Sequence, residues 1–298
     1  MSGYVTGPSD IGILRELKDQ GEKIVALTAY SVRQARMIAP LVDFILVGDS
    51  VTMNWYDLGT TKRATLDMMI KHGKRVVSGA AGQAMVVIDM PECVYAFPEG
   101  ASDHDKDEIR DDTLIAARRI MRETGCQALK LEGGVEMAET VRMLVRHHIP
   151  VMGHIGLLPS KFDKGERYVV AAKGQEAAQK LVNDAIAIQN ANAFSIVIEG
   201  SNENVASLLC KEVLKIPTIG IGATPDADGQ ILVNRDVWKK PDATPMIKFA
   251  PSFRIRGFRR QEAVALYAAA VRGDIFPDRK THCYHPKMPV DIAALQLS

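Results

Sequence analysis

Eight short apolar runs, each rich in β-branched residues and bounded by turn residues, punctuate the chain: KIVALTAY (23–30), DFILVGDS (43–50), AMVVIDMP (84–91), QALKLEGG (127–134), IPVMGHIG (149–156), AFSIVIEGS (193–201), IPTIGIGA (216–223) and TPMIKFA (244–250). Such runs read as strands. Most are separated by helical periodicity. In AETVRMLVRHH, residues Val141, Leu144, Val145 and His148 recur at spacings of three and four, and Ala178, Leu181, Val182 and Ala185 do the same in GQEAAQKLVNDAIAIQ. Strands apolar on both faces are covered on both faces, which is the parallel-sheet situation.

Eight alternations in 298 residues favour a (β/α)8 TIM barrel, an α/β fold in a single domain spanning 1–298, over an open doubly wound sheet. An open sheet would more often show a glycine-rich first turn. The one candidate, GIGATP, has Pro225 where the third glycine belongs, so Gly220 and Gly222 read as backbone passing close to something. Residues 1–22 form a lead-in and 276–298 a C-terminal arm suited to packing on a neighbour. Two long loops are expected, 51–65 and 92–109, the second polar and acidic and reading as a solvated insertion or a lid.

With 47% apolar residues the chain can bury a large core, and 37 basic against 36 acidic residues leave no global field for nucleic acid or anionic membrane. Any ligand is therefore held by a local site. No apolar stretch has the length of a membrane span and the N-terminus lacks a signal-peptide pattern, so a soluble, cytoplasmic protein is expected. Cys93, Cys126, Cys210 and Cys283 are scattered and read as reduced thiols packed in the core.

Aligning the runs brings out a pattern that no single motif shows. Their C-terminal ends carry Asp49 and Ser50, then Asp89, then Lys130 and Glu132, then His154, then Glu199. Alone, each has an ordinary structural reading: Asp49 or Ser50 as a helix N-cap, His154 as a satisfied buried histidine. In a (β/α)8 barrel, however, these ends converge on one mouth, where active sites sit. Four carboxylates crowded there raise one another's pKa unless a cation joins them. Oxygen donors with at most one histidine suit Mg²⁺ or a similar hard ion, and zinc less well. Such an ion chelates a 2-oxo acid and acts as a Lewis acid for carbanion chemistry beside the carbonyl. One carboxylate off the metal then serves as base, and Glu199, ending the most apolar run, is the natural choice. Lys130 supplies positive charge for a substrate carboxylate or a developing enolate.

The motifs LVGDS, MVVIDMP, LKLEGG, VMGHIGLLP, IVIEG and IGIGA with DGQILV, in this order, resemble the ketopantoate hydroxymethyltransferase family of the phosphoenolpyruvate mutase and isocitrate lyase superfamily. The resemblance spans about residues 20–280. It implies a homo-oligomeric barrel enzyme, usually a decamer, that moves a hydroxymethyl group from the co-substrate 5,10-methylenetetrahydrofolate to 3-methyl-2-oxobutanoate through a Mg²⁺-stabilised enolate, on the route to pantothenate. By motif it implies Asp49, Asp89 and Glu132 as metal-site carboxylates. Asp49, Ser50, Asp89, Lys130 and His154 become substrate contacts, and Glu199 the proton acceptor. The chain departs from the family pattern at Ser31, Thr61-Lys62-Arg63, Glu92 with an insertion behind it, and 166–174. Lys62 and Arg63 read either as a solvated pair or as recognition of an acidic substrate. Two other functions fit the same motifs: a Mg²⁺-dependent C–C lyase or condensing enzyme acting on a different 2-oxo acid, and a non-catalytic keto-acid or folate sensor.

Overall fold

The computed structural model describes residues 10–166, 168–240 and 247–297. Eight parallel strands close into a barrel in sequence order: β1 Ile24–Thr28, β2 Phe44–Val47, β3 Met85–Asp89, β4 Ala128–Glu132, β5 Val151–Gly156, β6 Ser195–Glu199, β7 Thr218–Ile221 and β8 Gly229–Leu232, with β8 pairing back onto β1. Their side chains are buried almost without exception, because the barrel interior takes one face and the surrounding helices take the other.

Seven of the eight expected strands lie where the apolar runs lie. The eighth does not. It is GQIL at 229–232, not TPMIKFA at 244–250: residues 244–246 fall outside the described residues, and Ile247 and Ala250 form only an isolated bridge. The reason is the connection. Parallel neighbours ordinarily need a crossover helix, but only the loop 222–228 joins β7 to β8. Each of these strands is only four residues long, so a short return suffices. Gly222 makes the start of this turn possible, at φ +61°, with the Phe249 ring 2.7 Å from where a Cβ would stand. This is the close approach anticipated for GIGATP.

The acidic stretch expected to be loop up to 109 is helical from Asp103, in the helix Asp103–Thr124. Ser102 and Asp105 form a reciprocal capping box, and acidic side chains in the first turn favour the positive end of the helix dipole. The helices Ala138–Arg146 and Gln175–Asn190 follow their apolar periodicity, burying Val141 and Leu144, and Ala178, Leu181, Val182 and Ala185. His148 lies past the end of the first helix and is exposed.

The C-terminal arm folds back on its own chain. Arg279 bridges buried Glu203 and Asp226, the amide of Glu203 donates to the carbonyl of Tyr284, Gln175 and Gln179 bond the backbone of 291 and 296, and Leu295 is buried. Cys126, Cys210 and Cys283 are buried free thiols, whereas Cys93 is exposed. Among the described residues, no helix is long and apolar enough to cross a membrane.

Candidate active site

Strand register sets charged side chains beside one another at the barrel mouth. Asp89 on β3 pairs in register with Lys130 on β4, Glu132 on β4 with His154 on β5, and Gly156 on β5 with Glu199 on β6. Neighbouring parallel strands lie about 4.8 Å apart, so side chains at such positions meet. Lys130 Nζ is 3.1 Å from Asp89 Oδ1, His154 Nδ1 is 3.2 Å from Glu132 Oε1, and His154 Nε2 is 3.2 Å from Glu199 Oε2. Asp49, just past β2, joins the cluster through its backbone N–H, which donates to Asp89 Oδ2 at 3.0 Å. Ser50 shares a 2.9 Å hydrogen bond with the Tyr30 hydroxyl. Every residue singled out at the strand ends lines one cavity of about 430 Å³.

The electrostatics divide these groups into two sets. Burial raises the Glu132 carboxyl, but His154, Lys130 and Ser160 outweigh it and bring it down to about 2. Ser160 donates to Glu132 Oε2 from its hydroxyl at 2.6 Å and its amide at 3.2 Å. Burial and Lys130 pull the His154 imidazole down, yet Glu132 and Glu199 override them and push it up to about 9. A protonated ring donates from both nitrogens, so the 3.2 Å approach of Lys130 Nζ to Nδ1 is then a contact between donors, and Lys130 is held by Asp89. Burial raises the carboxyls of Asp49 and Asp89. At Asp49, Glu132 and Asp89 add to the rise, and at Asp89, Lys130 opposes it.

Two buried atoms in the cluster, Asp89 Oδ1 and His154 Nε2, meet their charged neighbours Lys130 and Glu199 without hydrogen-bond geometry. Buried polar atoms left short of good hydrogen-bond geometry are sites where a water, an ion or a ligand completes the set. Among the described residues no three acidic, histidine or cysteine side chains form a ready-made metal cluster. Mg²⁺ does not require one, since it binds through one or two carboxylates and keeps water and substrate oxygens for the rest. An Asp89 oxygen short of a well-formed hydrogen bond, beside an Asp49 carboxyl raised by burial and by Glu132 and Asp89, fits a hard cation.

A sequence model described as ketopantoate hydroxymethyltransferase matches residues 9–279. This chain belongs to the ketopantoate hydroxymethyltransferase family. It is 43% identical over 273 residues to the 3-methyl-2-oxobutanoate hydroxymethyltransferase of Mesorhizobium japonicum, covering 90% of each chain. Identity to 3-methyl-2-oxobutanoate hydroxymethyltransferase 2 of Burkholderia cenocepacia is 41%, over 94% of this chain and 93% of that one. Among solved structures, the fold resembles phosphoenolpyruvate phosphomutase from Streptomyces platensis subsp. rosaceus, with a TM-score of 0.54, 14% identity, and 76% and 81% of the two chains covered. Phosphonopyruvate hydrolase in complex with oxalate and Mg²⁺ aligns with a TM-score of 0.53, at 10% identity, over 75% of this chain and 80% of that one.

In this ketopantoate hydroxymethyltransferase family member, two of the departures at the rim, Lys62 and Glu92, both meet the loop after β5. Lys62 pairs with Asp163 at 2.9 Å, Glu92 pairs with Lys161 at 2.8 Å, and Thr60 Oγ1 donates to the Phe162 carbonyl at 3.1 Å. The loops after β2, β3 and β5 are thereby clasped together. Lys62 is engaged by this clasp rather than turned toward a substrate.

Sequence reasoning missed a second ring of residues. Ser160 holds Glu132. Tyr30 holds Ser50, and the wholly buried His72 holds the Tyr30 carbonyl at 2.6 Å. Arg235, Asp236 and Lys239 also line the cavity. The last three follow β8 and went unread because β8 was placed too late. His72 sits mid-helix, where nothing local distinguishes it from a surface histidine.

Proposed function

We propose that this chain transfers a hydroxymethyl group from 5,10-methylenetetrahydrofolate to 3-methyl-2-oxobutanoate, giving 2-dehydropantoate and tetrahydrofolate with uptake of one water. The observation that carries the reading is the Glu132–His154–Glu199 row, in which register seats a carboxylate against an imidazole on the cavity wall beside Asp49 and Asp89. Glu199 takes the C3 proton of the 2-oxo acid. Because His154 is held charged by Glu132, it keeps its own proton and orients the Glu199 carboxylate rather than protonating it. C3 then bonds to the donor's methylene carbon, both C–N bonds that hold that carbon on the folate break, water supplies the hydroxyl, and the two freed folate nitrogens take up the C3 proton from Glu199 and one proton from that water. Lys130 and Ser50 receive the substrate carboxylate, and His154, its Nε2 turned to Glu199, borders the substrate on that side of the cavity.

Asp49 and Asp89 would hold Mg²⁺, with Glu132 as the third carboxylate of the metal site. When bound, the ion supplies positive charge to the carboxylate and carbonyl oxygens of the 2-oxo acid. The same reading takes residues 1–298 as one domain with lead-in 1–22 and arm 276–298. It also takes the protein as a cytoplasmic homo-oligomer, a decamer on family grounds.

The test is Mg²⁺-dependent formation of 2-dehydropantoate from the two substrates. Glu199→Gln is expected to lower kcat by about 10²- to 10⁴-fold while leaving the affinity for the 2-oxo acid nearly unchanged. No product from folded protein supplied with Mg²⁺ overturns the function. Near-normal turnover by Glu199→Gln overturns the base.

A further inference from the structure

The cavity extends well beyond the acidic cluster. A small 2-oxo acid between Lys130 and Glu199 fills a minor part of its 430 Å³ or so, and the remainder lies toward β8. In a closed eight-stranded barrel β8 stands diametrically across from β4, so the residues that follow β8 face Lys130 from the opposite side of the mouth. The wall between is apolar, formed by Ile221, Ile231, Leu232 and Phe249. Such a surface suits a flat ring system better than a charged chain.

Charge around the cavity as a whole is lopsided. Five acids line the cavity, Asp49, Asp89, Glu132, Glu199 and Asp236, against four cationic groups, His154, Lys130, Arg235 and Lys239, of which His154 is engaged by Glu132 and Glu199. Lys130 is paired with Asp89. Lys239 donates to the Ala250 carbonyl at 2.9 Å and lies 3.4 Å from Asp236. Arg235, on the short helix Asn234–Trp238, is exposed at the rim and makes no ion pair or side-chain hydrogen bond among the described residues. Of the cationic groups lining the cavity, Arg235 is the one left without an acidic partner among the described residues, and its planar fork matches a carboxylate in two places.

We propose that Arg235 is the docking point for a carboxylate of the glutamate moiety of the one-carbon donor, across the mouth from the 2-oxo acid site. The assignment rests on the folate-dependent reading above. Arg235 is a specificity-determining residue for the second substrate and takes no part in the proton transfer at Glu199.

Steady-state kinetics with two donors test it: 5,10-methylenetetrahydrofolate, and 5,10-methylenetetrahydropteroate, which lacks the glutamate. Arg235→Ala is expected to raise KM for the folate donor about tenfold or more, the scale of one lost charge-assisted contact, with Arg235→Lys recovering part of the loss. With the pteroate donor, wild type and Arg235→Ala should have equal KM. KM for the 2-oxo acid, and Mg²⁺-dependent exchange of its C3 hydrogen for deuterium, should not move in either variant. An unchanged KM for the folate donor in Arg235→Ala, or an equal rise with both donors, overturns the assignment while wild-type turnover leaves the hydroxymethyl-transfer reading standing. A wild type that makes no product with either donor overturns both together.

Discussion

Gly156 ends β5 at φ +96°, and a Cβ there would stand 2.3 Å from the Glu199 carbonyl oxygen. Only glycine lets the end of β5 run so close to the strand that carries Glu199. Gly156→Ala should cost about 1–3 kcal/mol of stability and lower turnover further than that loss explains, because the backbone under Glu199 must shift. Urea unfolding beside activity of the remaining folded protein checks it. His72 offers a second residue-scale test. Its Nδ1–H donates to the Tyr30 carbonyl, which can only accept, so Nε2 accepts from the Tyr56 hydroxyl at 2.9 Å. Burial lowers its pKa below the ordinary 6.5. Below that value the unfolded chain takes up a proton that the native ring refuses, so stability falls as pH drops from 7.5 to 5.5. In His72→Asn that part of the pH dependence should disappear, as compared by unfolding midpoints at the two pH values. Asp49, Asp89, Lys130, Glu132, His154 and Glu199 were all legible in the sequence, since each is the charged end of an apolar run. Ser160, Tyr30 and His72 were not, because what marks them is a partner 20 or more residues away.

Between elements, the loops after β2, β3 and β5 are joined by Lys62–Asp163 and Glu92–Lys161 at the barrel mouth. Both pairs are partly exposed, and such pairs contribute little to global stability. Their role is local. The double variant Lys62→Ala/Lys161→Ala should leave the unfolding midpoint within experimental scatter while speeding amide hydrogen exchange in 157–166 several-fold, since local opening is governed by local contacts. Unchanged exchange would show that the loops are held by packing instead. Strand β8 and the helix starting at Asp103 mark the limits of reading elements from pattern. GQIL is short, opens on glycine and follows its predecessor with no helix between, so periodicity passes over it. The acidic run at 103–109 looks solvated because it is solvated, and it is helical because Ser102 and Asp105 cap it.

For the whole molecule, the acidic mouth sets function against stability. Burial, and after it Glu132 and Asp89, raise the Asp49 carboxyl, so a neutral amide there removes a desolvation and repulsion cost from the metal-free protein. Asp49→Asn should therefore stabilise the metal-free protein by about 1 kcal/mol and lose the Mg²⁺-induced rise in Tm that linkage gives the wild type, about 2.7 kcal/mol at a hundredfold excess over Kd. Thermal melts with and without Mg²⁺ decide it. A wild type whose Tm ignores Mg²⁺ would remove the cation from this site.

The sequence alone determined the barrel and the chemical character of its mouth, because eight apolar runs ending in polar residues are a local, repeated signal that needs no long-range partner. Tertiary structure alone decided where the barrel closes, which side chains hold the charged groups in place, how the rim loops are clasped, and that Arg235 lines the same cavity as Lys130. Each of these depends on residues far apart in the chain meeting in space, and spacing along a sequence carries no record of that meeting.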